Sequence, residues 1–195
     1  MKSILITFLI ALMLTAPSYG QRHIKGQSAL GLTVGAVDNL PKFSALRSAG
    51  SGYMASLDYV WYQSNERYWK ASASYVRKYY PAQDNAKPMV EQCGLSLDYV
   101  PRGIYTTRRW LYVAPTIGAY VGYELVNRNQ PGLAEGIIQN KSTATIGPQL
   151  GVEAEVYLKP ALMLIGGITE RVVPFSEVAQ FRTIGYAGIR YCIIQ

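Results

Sequence analysis

Two glutamates, Glu153 and Glu155, stand two residues apart in the stretch GPQLGVEAEVYL, where an extended chain aims both at one side. Paired carboxylates are what general acid–base chemistry uses, so the stretch is a candidate catalytic element. The rest of the chain supplies nothing to complete it. Its only histidine, His23, lies near the N-terminus, which leaves a Ser-His or Cys-His nucleophile pair, or a multi-histidine metal site, without a second member. No glycine loop of the Walker type occurs, and the NKS triplet at Asn140 reads as plain surface loop. The sequence therefore predicts no catalytic residue, no cofactor and no metal. A lipid-modifying enzyme built on Ser, Asp and Tyr is the disfavoured enzymatic alternative.

The N-terminus gives these residues an address. MKSILITFLIALMLTAPSYG has a lysine at position 2, an apolar run from Ile4 to Leu14 and a small-residue stop, the pattern of a secretory signal over residues 1–20 with cleavage before Gln21. The run is too short to favour a retained transmembrane helix. No cysteine follows the cleavage site to carry a lipid anchor. Loss of Lys2 with the signal lowers the formal charge from +7 to +6. That balance could point to nucleic acid, but the basic residues sit in small groups such as VRKYY and TTRRW, with no long stripe, so direct nucleic-acid binding is not predicted. In an exported protein Cys93 and Cys192 raise the question of a disulfide. Their places near opposite ends of non-adjacent strands favour two separate thiols.

Beyond Gln21 no segment holds apolar residues at helical spacing, and period-two alternation recurs instead. Eight strands are predicted: 28 to 37, 51 to 61, 68 to 79, 90 to 100, 109 to 123, 143 to 158, 161 to 171 and 181 to 194. Most reach the roughly 9–11 residues that a tilted strand needs to cross a bilayer. Their connections alternate long and short, the longest running from 124 to 142 and the shortest being Lys159-Pro160. An up-and-down outer-membrane barrel has this asymmetry, with both termini in the periplasm. The predicted fold is thus all-β, an eight-stranded antiparallel up-and-down transmembrane β-barrel of outer-membrane type. It occupies 28–195, preceded by a short periplasmic segment at 21–27. Pro115 and Pro148 lie inside adjacent strands, where each deletes a ladder hydrogen bond, and a shared bulge would absorb them.

Parity then sorts each strand into a greasy face and a small or polar one. Leu57 and Tyr59 oppose Ser56 and Asp58; Leu95 and Leu97 oppose Ser96 and Asp98; Ile189 and Tyr191 oppose Gly188 and Arg190. A narrow barrel fills its interior with side chains, so no open pore is implied. Six charges fall inward: Asp58, Lys70, Asp98, Glu153, Glu155 and Arg190. A lipid-facing Lys or Arg near mid-bilayer would cost about 2–4 kcal/mol, whereas charges in the lumen can pair. A structural network is expected, with Arg190 and Lys70 answering the acids and Arg190 reaching across the lumen. Aromatics cluster at both edges: Trp61, Tyr62, Tyr68, Trp69, Tyr99 and Trp110 at the short-turn end, Tyr53, Tyr79, Tyr80 and Tyr123 at the loop end. They form the interfacial belts that place the wall in outer-membrane lipid. The competing readings are a soluble periplasmic lipocalin-like barrel holding an apolar ligand, and a general structural or adhesion barrel of the outer membrane.

Four motifs in the second half, GYELVNR (122–128), LAEGII (133–138), GVEAEVYL (151–158) and FRTIGYAGIRY (181–191), together with a signal ending in Gly-Gln-Arg, resemble the TraO proteins of Bacteroides-type conjugative transposons. Where that family often has glycine after the Asn-Arg pair, this chain has Asn129. The resemblance implies an outer-membrane component of a DNA-transfer apparatus, with other conjugation proteins as partners. It carries over no catalytic residues and no small-molecule substrate.

Overall fold

The structure is a computed structural model that describes residues 24–38, 52–64, 66–80, 89–107, 110–126, 142–174 and 180–193. Alternating apolar and polar side chains favour extended chain half-buried on one face, and long runs of this kind pair with their sequence neighbours. The strands are β1 (Ser28–Val37), β2 (Gly52–Ser64), β3 (Arg67–Tyr79), β4 (Met89–Val100), β5 (Ile104–Tyr105), β6 (Leu111–Val126), β7 (Thr143–Lys159), β8 (Leu162–Val172) and β9 (Phe181–Ile193). All neighbours are antiparallel, β1 pairs β9, and β4 pairs β6 directly, which closes a barrel of eight long strands. The two-residue β5, not foreseen from the sequence, pairs only with β6, below the end of β4. β6 runs on to Val126 because residues 124–126 still pair with β4 or β7.

Closure fixes the wall's geometry. The register followed sideways from Thr183 through Glu170, Leu150, Ile117, Tyr99, Trp69, Trp61 and Ser28 returns to Ile193, ten residues farther along the same strand. With eight strands that stagger tilts the wall by roughly 40°. Residues at one height in the lumen are therefore not those opposite each other in the ladder.

The bulge expected at Pro115 and Pro148 does not form, because β6 and β7 keep one register from Leu111↔Val156 to Glu124↔Thr143. The Thr106 N–H donates to the Leu111 carbonyl, so odd-numbered β6 residues aim their backbone groups at β4 and β5. Pro115 falls between the Tyr99↔Ile117 and Ile104↔Val113 rungs, where the ladder has passed from one strand to the other. The Tyr157 N–H donates to the Trp110 carbonyl, which leaves Pro148 facing β8, one position past the last rung at Gln149↔Arg171. Each missing N–H lies where pairing has stopped.

The two faces differ as parity predicts. Leu32, Val34, Leu57, Leu95, Ile117, Leu150 and Ile189 are exposed on the outside, while Asp58, Lys70, Asp98, Glu153, Glu155 and Arg190 are buried within. Two apolar clusters bracket the interior: Val60, Tyr62, Tyr68, Tyr112 and Met163 at the short-turn end, and Val37, Met54, Val76 and Ile184 at the loop end. Asp38, in the left-handed backbone region at φ 62°, ends β1 by accepting the Thr183 N–H at 2.9 Å. The bulk of the predicted 124–142 loop, at 127–141, lies outside the described residues, as do segment 1–20, His23 and Asn140.

Candidate functional site: the charged lumen

Glu153 and Glu155 alternate with outward Val152, Ala154 and Val156 on β7, so both carboxylates enter the lumen, and neither is exposed at all. Arg190 enters from β9. Its Nη2 lies 2.6 Å from Glu153 Oε1, its Nη1 pairs with Glu155 Oε1, and the side chain is wholly buried. Lys70, from β3, binds the far side of Glu153, with Nζ 2.6 Å from Oε2 and 3.9 Å from Asp98 Oδ2. Two cations thus answer two fully buried acids, which is what offsets the cost of taking them out of water.

Tyrosines complete the shell. The Tyr68 hydroxyl lies 2.8 Å from both Glu153 Oε1 and Glu155 Oε1, and its single proton serves one at a time. Tyr186 donates to Glu153 Oε2 at 2.8 Å and Tyr157 to Glu155 Oε2 at 3.1 Å. Arg190 reaches β7 over β8, where the residue paired with Glu153 is Gly167. A Cβ at Gly167 would meet the Tyr186 hydroxyl at 2.6 Å, so the glycine clears the space in which that hydroxyl sits. The paired acids are surrounded by donors and lie next to the buried cluster that holds Tyr62, Tyr68 and Tyr112.

Toward the loop end a polar cavity of about 40 Å³ is lined by residues including Ser56, Asp58, Ser72, Asp98 and Arg171. Gln149 spans two of them, donating from Nε2 to Asp98 Oδ1 at 2.5 Å and accepting from Arg171 Nε at 3.1 Å. Asp58 accepts from Ser56 Oγ at 2.7 Å, and among the described residues no Lys or Arg nitrogen comes within 4.0 Å of it. Above the cavity, Arg182 binds Gln92 Oε1 at 2.5 Å and pairs with Glu124, and Gln92 donates to Thr145 at 3.1 Å. The sequence reading omitted Arg171, Arg182, Glu124, Tyr157 and Tyr186. Inward parity was the available signal for four of them; Glu124 falls beyond the predicted end of its strand at 123 and becomes inward only because β6 runs on to Val126.

Of the predicted short-turn belt, Trp61, Trp69 and Tyr99 face outward, with Trp61 stacked on Trp69 at 6.3 Å between centroids and Trp69 5.0 Å from Tyr99, while Trp110 lies exposed just before β6, on the parity of inward Tyr112. Tyr62 and Tyr68 do not belong to it. They hold the opposite parity to Trp61 and Trp69, are buried in the lumen, and touch each other edge to face at 5.2 Å. The cysteines are free and on opposite faces, Cys93 exposed outside and Cys192 buried within.

The family model for conjugative transposon protein TraO matches residues 24–193. The chain belongs to that family. This TraO-family barrel is similar in structure to a major outer membrane protein from Thermus thermophilus, at 13% identity over 85% of this chain and 99% of that one, with a TM-score of 0.52. It is similar also to the outer membrane protein OprG from Pseudomonas aeruginosa, at 13% identity over 90% of this chain and all of the other, TM-score 0.51. The Yersinia pestis outer membrane protein Ail in a phospholipid nanodisc gives 11% identity over 87% of this chain and all of that one, TM-score 0.50. These likenesses concern the fold, which the TraO-family chain shares with outer-membrane β-barrels. No curated protein matches its sequence.

Proposed function

We infer that the protein is a non-enzymatic outer-membrane component of a conjugative transfer apparatus, exported by residues 1–20 and working through contacts with other transfer proteins. The observation that carries this reading is the inversion of the wall: leucine, isoleucine and valine outside, fully buried ion pairs inside. A barrel that dissolved in the periplasm and held an apolar ligand would need the opposite arrangement. The filled lumen also argues against a strand of DNA passing through it, since Arg190, Glu153, Glu155 and the tyrosine cluster occupy the lower half. That leaves the outer wall, the periplasmic rim and the loops as working surfaces, with the 124–142 segment as the first candidate.

The test is a mating assay with the coding region deleted and then complemented. The intact gene should restore transfer. Replacement of 127–141 by a short Gly-Ser linker should leave a heat-modifiable barrel in the outer-membrane fraction yet fail to restore transfer. Folded protein recovered from the soluble periplasm, or full transfer from the deletion strain, would refute the reading.

A further inference from the structure

We propose that the lumen contains a binding site for one small monovalent anion, the size of a chloride ion, with Arg171 as its main ligand. The site stands whether or not the barrel serves conjugation. Arg171 is 4% exposed. Its Nε donates to Gln149 at 3.1 Å, and its guanidinium carbon sits over Tyr120, 3.7 Å from the ring centroid. Its Nη1 is buried without a protein acceptor, and among the described residues no carboxylate stands within 4.0 Å. Each other buried lumen cation has one: Lys70 and Arg190 have Glu153, and Arg182 has Glu124.

The register sharpens the deficit. Arg171 and Arg182 are directly opposite each other on β8 and β9, both inward and both buried. Like charges facing across a ladder repel, and a buried guanidinium with no carboxylate in contact is costly; Asp98 reaches Arg171 only through Gln149. A water could satisfy the Nη1 hydrogen bond, but only an anion also neutralises the charge.

The arrangement around Arg171 is a built one. Tyr120, which stacks on it, lies in a slot made by Gly94 and Gly122, where a Cβ would stand 2.3 and 1.9 Å from its hydroxyl. The adjoining cavity of about 40 Å³ offers hydroxyl donors from Thr33, Ser72, Ser74 and Thr169. A single water needs about 10–15 Å³, so the space has room for one small ion with its remaining water. Asp58 and Asp98 line the same cavity from β2 and β4. The two carboxylates disfavour an anion at their end of the cavity, where Lys70 is already paired with Glu153, and so leave the Arg171 end for it.

Bromide is the probe. Crystals of the full barrel in detergent, with sodium bromide replacing chloride, should show anomalous density inside the lumen at hydrogen-bonding distance from Arg171 Nη1. Arg171→Gln should abolish that peak and Arg171→Lys should retain it. In solution, replacing gluconate, which is too large for the cavity, by bromide at constant ionic strength should raise the wild-type unfolding midpoint saturably, and Arg171→Gln should remove the dependence. If the variant fails to fold, the wild-type density and the two-salt comparison still decide. Bromide found only on the surface, or equal midpoints in the two salts, overturns the site.

Discussion

Arg190 and Glu153 sit two strands apart in the barrel wall, on β9 and β7, yet their side chains meet at 2.6 Å with neither exposed to any solvent. The contact passes over β8, and Glu155 shares the same guanidinium. Such an arrangement ties β9 to β7 through the lumen with a charge pair.

Removing the cation while leaving the acids should therefore be expensive. Arg190→Met leaves buried Glu155 without a cation while Glu153 keeps Lys70, and breaking a buried pair this way costs about 3–5 kcal/mol. The heat-modifiable gel shift should move to markedly lower temperature. Adding Glu155→Gln should recover part of the loss, because the stranded charge is then gone, whereas Glu153→Gln would not, since it takes the counter-charge from Lys70; unchanged melting of Arg190→Met would remove the network from the stability of the barrel.

A second expectation concerns the slot for Tyr120. A methyl group at Gly122 would stand 1.9 Å from the tyrosine hydroxyl, so Gly122→Ala must displace the ring. Overpacking of this kind costs about 1–3 kcal/mol. In a Tyr120→Leu background the alanine should cost less, the remainder coming from the Cys93 carbonyl 2.7 Å from the new Cβ, a difference measurable as a double-mutant cycle of unfolding midpoints in detergent.

The outer face should respond to charge by depth. Val152 lies near the middle of β7 and is exposed, whereas Lys159 ends the strand at the turn. Val152→Arg should cost about 2–4 kcal/mol in a bilayer, while Leu158→Arg, beside Lys159, should cost under about 1 kcal/mol. Folding titrations into lipid vesicles would compare them, and equal penalties would contradict a lipid-facing wall.

The thiols offer a simple reading of the faces. In folded protein a membrane-permeant maleimide should modify Cys93 alone, since Cys192 is 4% exposed within the lumen. After boiling in SDS both should react, and intact mass should show one adduct before heating and two after. Two adducts on the folded barrel would mean that the turn-end cluster does not seal the interior.

What the sequence determined by itself was the division between inside and outside. Alternation is a local property of an extended chain, so Glu153, Glu155, Lys70, Asp58, Asp98 and Arg190 could be assigned inward one strand at a time. The long strands, their order and the alternating connections followed from the same local patterns. Tyr62 and Tyr68 were legible too, for they carry inward parity; an aromatic at a strand end reads as an interfacial anchor only if its parity is set aside.

Only the tertiary structure decided who meets whom. The ten-residue stagger around the barrel sets which inward side chains share a height, and it is a sum over every strand pair rather than a property of any one. That sum brings Arg190 to Glu153 and Glu155, leaves Asp58 with Ser56, and sets Arg171 against Arg182 without a carboxylate of its own. It also decides where each ladder stops, which is why Pro115 and Pro148 need no bulge.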